Sequence, residues 1–163
     1  MGCIFSFQYQ GETMETLRSK ARRWCATSLL IFSLAWLLAS CAATGEPFKH
    51  GEQVPGKSSL YIYREHALTG SAWAWDVYLD SEKVTELRTG GYFYSTISPG
   101  PHTVLVKVLT GLSLNFSTEP DQTYYFRLGA ATYFDKFRFV IERVSESEAL
   151  YQLPDMKLQP LIK

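Results

Sequence analysis

The chain has 163 residues, enough for one ordinary domain and additional segments. It carries 16 basic and 16 acidic residues, and the part after Cys41 is slightly acidic. This balance excludes a strongly basic surface, so we expect no nucleic acid partner.

The N-terminal segment has the order of a secretory signal, with positive residues followed by an apolar run. Basic residues cluster at 18–23, and residues 24–39 are almost entirely apolar. This run is shorter than the roughly 20 residues that a helix needs to span a bilayer. We therefore predict a signal peptide over residues 1–40. Met14 offers a conventional signal start, so residues 1–13 are interpreted as an over-extended start.

A single cysteine follows the apolar run at once. Leu38-Ala39-Ser40-Cys41 resembles a bacterial lipobox, which implies cleavage before Cys41 and attachment of lipid to its thiol. Two or three acyl chains would hold such a protein stably on a membrane. Because Ala42 stands where many inner-membrane lipoproteins have Asp, we expect an outer-membrane anchor facing the periplasm. The alternatives are an uncleaved signal anchor and N-myristoylation at Gly2.

The rest of the chain divides into a linker, a domain and a tail. Residues 41–57 are small, polar or turn-forming and predict a flexible linker after the lipidated cysteine. Residues 58–153 are rich in aromatic and β-branched residues, with turn signals about ten residues apart. This spacing predicts an all-β fold, an antiparallel β-sandwich of about seven or eight strands with a short C-terminal helix. Residues 154–163 form a C-terminal tail that is either packed on the domain or loose.

Apolar and polar residues alternate with a period of two in the predicted strands, which places one face of each strand in the core. The predicted strands cover residues 58–64, 73–80, 83–88, 92–97, 102–108, 112–118, 123–128 and 136–144. Ser145 and Glu148 have the spacing of a capping box, which predicts a helix over 146–153. Pro99-Gly100 suits the centre of a type II turn.

Several short motifs follow one another in a recognisable order along the domain. They are Tyr61-Ile62-Tyr63-Arg64, Val77-Tyr78-Leu79-Asp80, Gly91-Tyr92-Phe93, Ser98-Pro99-Gly100-Pro101-His102 and Thr123-Tyr124-Tyr125-Phe126. In this order the chain resembles the domain-of-unknown-function family numbered 2846, small bacterial lipoproteins, over about residues 58–144. It is also similar to PEGA-like and carboxypeptidase-regulatory-like β-sandwiches. The resemblance implies a sandwich fold and export, and it implies no activity.

The sequence contains no pattern typical of a catalytic or metal site. Its three histidines are scattered, and Cys3 and Cys25 would be removed with the signal peptide. We therefore expect a protein that is not an enzyme and that needs neither a metal nor another cofactor.

Two groups of aromatic residues are candidate binding surfaces. Alternation places Tyr78, Tyr92, Tyr94 and Tyr125 opposite the core residues of their strands, where they would suit a protein interface. The alternatives are cross-strand pairing or burial under the C-terminal helix. Trp73 and Trp75 would either contact a glycan or pack in the core.

The sequence as a whole predicts a lipid-anchored, non-enzymatic binding or scaffold module of the cell envelope. Its expected partners are the membrane, through the lipid on Cys41, and an envelope protein. The alternative is an envelope protein that binds peptidoglycan or polysaccharide.

Overall fold

The computed structural model describes residues 43–68, 70–108, 111–133 and 136–162, with backbone only for residues 131–133 and 136–137. The predicted signal peptide and Cys41 lie outside the described residues.

Two sheets, a short helix and a 3₁₀ turn make up the described part of the chain. The strands are β1 (Ser58–Arg64), β2 (Trp75–Leu79), β3 (Glu82–Leu87), β4 (Gly91–Ile97), β5 (Gly100–Lys107), β6 (Gly111–Thr118), β7 (Thr123–Tyr133), β8 (Lys136–Val144) and β9 (Lys157–Leu158). Helix α1 (Glu146–Gln152) and a 3₁₀ turn (Leu153–Asp155) lie between β8 and β9. The all-β sandwich prediction is confirmed.

The two sheets have the strand orders β8-β7-β1-β4-β9 and β3-β2-β5-β6. The four-stranded sheet is antiparallel throughout, whereas β1 pairs in parallel with β7 and β4 pairs in parallel with β9. The sequence prediction of a purely antiparallel sandwich is therefore wrong at these two pairings. The chain crosses between the sheets at Ser98-Pro99, directly after β4.

The main core fills the space between the sheets. Its fully buried residues include Leu60 and Ile62 from β1, Phe126 from β7, and Val77 and Val104 from the four-stranded sheet. These residues recur at every second position because successive side chains of a strand point to opposite faces. Burial of apolar area in this core is the main stabilising contribution to the fold.

A second layer covers the outer face of the five-stranded sheet. Helix α1, the 3₁₀ turn and the residue after it contribute Ala149, Leu153 and Met156 to an apolar cluster with the buried tyrosines of that face. The Ser145 side chain accepts a hydrogen bond from the Glu148 backbone N–H at 3.3 Å, as the capping-box spacing predicts.

Residues 43–53, named here the N-terminal strap, lie along the same outer face. The backbone N–H of Leu158 donates to the Glu46 carbonyl at 2.8 Å, and Pro47 forms an isolated bridge with Lys157. The predicted flexible linker is thus hydrogen-bonded to the domain from Ala43 onward.

The C-terminal tail packs against both sheets. Its β9 pairs with β4, and the Ile162 N–H donates to the Val84 carbonyl of β3 at 2.9 Å. The Thr85 hydroxyl donates to the Pro160 carbonyl at 2.9 Å. The tail therefore covers an edge of each sheet, which protects unpaired strand edges.

Candidate functional site

The four tyrosines predicted as an interaction surface do not form one surface. Tyr92, Tyr94 and Tyr125 lie on the outer face of the five-stranded sheet, and Tyr78 belongs to the other sheet. Tyr92 and Tyr125 are buried, while Tyr78 and Tyr94 are half-buried. For Tyr92 and Tyr125 the structure corresponds to the alternative of burial, under the C-terminal elements and the strap.

The tyrosine hydroxyls hold the strap in place. Tyr61 accepts a hydrogen bond from the Gly51 N–H at 2.7 Å, and Tyr94 donates to the Glu52 carbonyl at 2.5 Å. The Tyr61 and Tyr125 rings stack with centroids 5.1 Å apart. The sequence placed Tyr94 and Tyr125 opposite the main core, as the structure has them, but the segments that cover this face come from distant parts of the chain.

The structure separates the two tryptophans that were expected on one strand face. Strand β2 begins at Trp75, two residues later than predicted, so Trp73 belongs to the preceding loop. Trp75 is 1% exposed and Trp73 is 66% exposed. Trp75 therefore packs in the core and cannot contact a glycan. For Trp73 the alternative of core packing is wrong.

A buried arginine at the end of β1 contacts both the loop that carries Trp73 and the ring of Trp75. Arg64 is 2% exposed, and its guanidinium carbon lies 3.9 Å from the centroid of the Trp75 ring. It donates to the carbonyls of Trp73 at 2.7 Å, Gly70 at 2.5 Å and Leu87 at 3.1 Å. These bonds attach the 65–74 loop to the rim of the sandwich and leave the Trp73 side chain outside.

The charge of Arg64 has no carboxylate partner among the ion pairs of the described residues. Burial lowers the pKa of Arg64 to about 10, because desolvation penalises the charged form. Arg64 belongs to the first of the family motifs, but the sequence predicted no role for it. The available signal was a charged residue ending a strand that is otherwise apolar or hydroxyl-bearing.

Thr89 joins the 65–74 loop to the N-terminal strap. Its hydroxyl accepts from the Ala67 N–H at 3.0 Å and donates to the Glu65 carbonyl at 3.0 Å. Its carbonyl accepts from the Ala43 N–H at 3.0 Å. This end of the domain, named here the loop end, therefore carries both the exposed 65–74 loop and the first described residue.

An open cleft of about 280 Å³ lies between the end of β1 and the C-terminal part of α1. It is lined by Glu65, His66, Tyr151, Gln152, Asp155 and Met156. Tyr151 is 86% exposed, and His66 Nε2 lies 3.4 Å from the Asp155 carbonyl oxygen. The cleft combines an aromatic side chain with two carboxylates, which suits binding of a cationic group.

Arg127 organises the carboxylates beside this cleft. It forms ion pairs with Glu65 at 3.3 Å, Glu142 at 2.5 Å and Glu148 at 2.7 Å. Burial raises the pKa of the neighbouring Tyr63 phenol to about 12, partly offset by Arg127. The Tyr63 hydroxyl has no hydrogen-bond partner among the described residues. Three carboxylates around one guanidinium leave this region with net negative charge.

His102 forms the other close histidine contact, on the opposite end of the sandwich. Its Nδ1 lies 2.6 Å from Asp80 Oδ2, and its Nε2 lies 2.6 Å from the Ser98 carbonyl oxygen. Burial alone lowers the pKa of His102, but the hydrogen bonds to Asp80 and Ser98 outweigh it and raise the pKa. Because both ring nitrogens are engaged, His102 has no free nitrogen to serve as a general base.

The described residues offer neither a metal site nor a membrane-spanning helix. No group of three or more His, Cys, Asp or Glu side chains in that part of the chain could hold a metal ion. No helix among the described residues is long and apolar enough to cross a membrane.

Comparison with known proteins gives one match. The model of a family described as "Protein of unknown function (DUF2846)" matches residues 55–138, just over half of the chain. No curated protein and no solved structure matches the chain. The similarity to PEGA-like and carboxypeptidase-regulatory-like sandwiches therefore stays a prediction.

Proposed function

Given that the chain belongs to the DUF2846 family of proteins of unknown function, we propose that it is a lipid-anchored, non-enzymatic binding module of the bacterial cell envelope. The observation that carries this proposal is Leu38-Ala39-Ser40-Cys41 at the end of an apolar run. Acyl chains on Cys41 would supply the membrane attachment, and Ala42 favours the periplasmic face of the outer membrane.

Three titratable groups that stand out in the structure support binding rather than catalysis. The strongly shifted pKa values of Arg64 and Tyr63 belong to side chains that are covered by neighbouring residues. His102 is held by Asp80 and Ser98 with both nitrogens. A catalytic group needs a free proton-transferring atom facing substrate, and none of these three side chains offers one.

The cleft is the surface that best suits an envelope partner, because two of the four predicted tyrosines are buried and the other two lie on different sheets. Glu65 and Asp155 line it, and the carboxylates around Arg127 extend its negative charge. A basic segment of a partner protein would complement this charge, with Tyr151 as an exposed aromatic contact. Of the two tryptophans predicted to contact a glycan, only Trp73 is exposed. Pelleting of the chain with insoluble peptidoglycan would support the glycan alternative.

Two cysteine variants test the lipid anchor. In cells given radiolabelled palmitate, we expect label and membrane fractionation for the wild type and Cys25→Ser, and loss of both for Cys41→Ser. Cys25 is the matched control because it lies inside the predicted signal peptide. An unmodified Met1 in the mass spectrum of the native product, or full labelling of Cys41→Ser, would contradict the anchor.

Partner binding is tested at Tyr151. The variant Tyr151→Ser changes an exposed side chain and should reduce recovery of the crosslinked envelope partner, whereas Leu161→Ser should not. Leu161 is the control because it is also an exposed large apolar residue. Equal recovery of the partner with Tyr151→Ser and Leu161→Ser would contradict the cleft as the binding surface.

A further inference from the structure

We propose that Leu68 and Trp73 form a second membrane contact, inserting into the interfacial layer of the bilayer that holds the Cys41 lipid. This inference rests on the lipid anchor proposed above. It assigns an orientation to the domain, with the loop end resting on the membrane.

The position of the strap brings the lipid attachment to the loop end. The Ala43 N–H donates to the Thr89 carbonyl at 3.0 Å, so the chain is attached to the domain two residues after Cys41. Two residues span at most about 7 Å in any conformation. The acyl chains on Cys41 would therefore start close to Thr89, without a long linker between lipid and domain.

The same threonine holds the loop that carries the two exposed apolar side chains. Its hydroxyl is bonded to Ala67, directly before Leu68, which is 96% exposed. Trp73 is 66% exposed, and its carbonyl is bonded to Arg64. Leu68 and Trp73, named here the apolar tip, thus lie at the same end of the sandwich as the predicted anchor.

The loop is held in a conformation that keeps these side chains outside the core. The Leu68 carbonyl accepts the Ser71 N–H at 3.2 Å and the Ser71 hydroxyl at 2.8 Å. Arg64 binds the carbonyls on either side of the following turn, at Gly70 and Trp73. Burial of these two exposed apolar side chains in another apolar surface would be favourable.

A bilayer is the surface that the anchor brings to this tip. Tryptophan prefers the membrane interface, where its ring is apolar and its N–H stays near water, and leucine enters the acyl region readily. Val54 is exposed too, but it lies beside the β6–β7 turn at the opposite end of the sandwich, about 20 Å away along β1. It therefore offers a matched control.

The test uses the full chain, expressed with its leader, purified and reconstituted in vesicles of phosphatidylethanolamine and phosphatidylglycerol. After cleavage before Cys41, Trp73 and Trp75 are the two tryptophans of the product. Lipids brominated on their acyl chains should quench the emission of Trp73, and the variant Trp73→Phe should remove the quenched component. Palmitate labelling of the same preparation reports on the anchor independently.

A second measurement avoids reliance on one residue. Leu68→Cys and Val54→Cys, each labelled with an environment-sensitive fluorophore, change only exposed side chains. We expect a blue shift in vesicles for the probe at position 68 and none at position 54.

The outcomes separate this inference from the proposed function. Palmitate on Cys41 without quenching of Trp73 overturns the membrane contact and leaves the anchored module intact. A blue shift of equal size at positions 68 and 54 also overturns it, because binding would then not be confined to the loop end. Absence of palmitate overturns both the anchor and the contact that rests on it.

Discussion

Replacement of Arg64 tests how the exposed loop is held. The change Arg64→Met keeps an unbranched side chain of similar length and removes the guanidinium, with its three hydrogen bonds to the carbonyls of Gly70, Trp73 and Leu87. The cation over the Trp75 ring, 3.9 Å from its centroid, is lost too.

The magnitude follows from the opposing contributions. Three hydrogen bonds to a charged group contribute roughly 4 to 5 kcal/mol, and a desolvated cation–π contact contributes about 2 kcal/mol. Against them, the lowering of the pKa of Arg64 from its ordinary value to about 10 corresponds to a desolvation cost of about 3 kcal/mol. Methionine recovers about 1 kcal/mol by burying apolar surface. We therefore expect Arg64→Met to lower the free energy of unfolding by about 2 to 3 kcal/mol.

Urea unfolding followed by tryptophan fluorescence measures this loss, and limited proteolysis measures opening of the 65–74 loop. The matched variant Arg64→Lys keeps the charge, but its compact ammonium cannot reach three carbonyls and stack on Trp75 together. Most of the stability loss and the proteolytic sensitivity should therefore remain in Arg64→Lys. Full stability of Arg64→Lys, or a change below about 0.5 kcal/mol for Arg64→Met, would refute the reasoning.

Three further predictions concern other contacts. The raised pKa of His102 makes its contribution to stability fully present below about pH 6.5, and this contribution is lost as the pH rises through the folded-state value. Asp80 has a lowered pKa, so its contribution is lost only in acid. His102→Ala should thus destabilise the protein by about 1 kcal/mol more at pH 5 than at pH 8 in thermal unfolding, and equal losses would contradict this. Arg127→Met should lower the free energy of unfolding by about 1 to 2 kcal/mol, because three partly exposed carboxylates lose their cation. Arg127→Lys should restore part of this loss. Urea unfolding measures both variants, and unchanged stability of Arg127→Met would show that these ion pairs contribute nothing. Gly51→Ala should release the strap to proteases, since a Cβ at this position would overlap the Tyr94 ring, and unchanged protease resistance would argue against this packing.

Much of the strand arrangement follows from local patterns. Alternation predicted β1 and β8 with the bounds that the structure has, and it placed Tyr92 and Tyr125 on the face opposite the main core. Local patterns were sufficient because strand bounds and the two faces of a strand depend on neighbouring residues. The capping box likewise predicted the start of α1.

The turns and the strand pairings could not be predicted as well from local sequence patterns. Asp80 and Ser81 both have positive φ, which gives β2 and β3 a tight two-residue turn of the type that suits twisted strands. In β3, Val84 lies in a bulge, where the register shifts between Val77 and Tyr78 of β2, so simple alternation does not apply. Pairing of β1 with β4 and β7 joins residues far apart in sequence, for which a local pattern carries no signal.

The sequence by itself determined an all-β fold and membership of the DUF2846 family, since composition, turn spacing and motif order are local properties. Export and the lipid on Cys41 are predictions from the same kind of local pattern. Only the tertiary structure decided which aromatic residues face solvent. Tyr92 is buried because the strap and the C-terminal elements cover it, and Trp73 is exposed because Arg64 holds its loop by the backbone. Alternation assigns a side chain to a face of a strand, but exposure depends on whether a distant segment gains enough free energy by packing on that face.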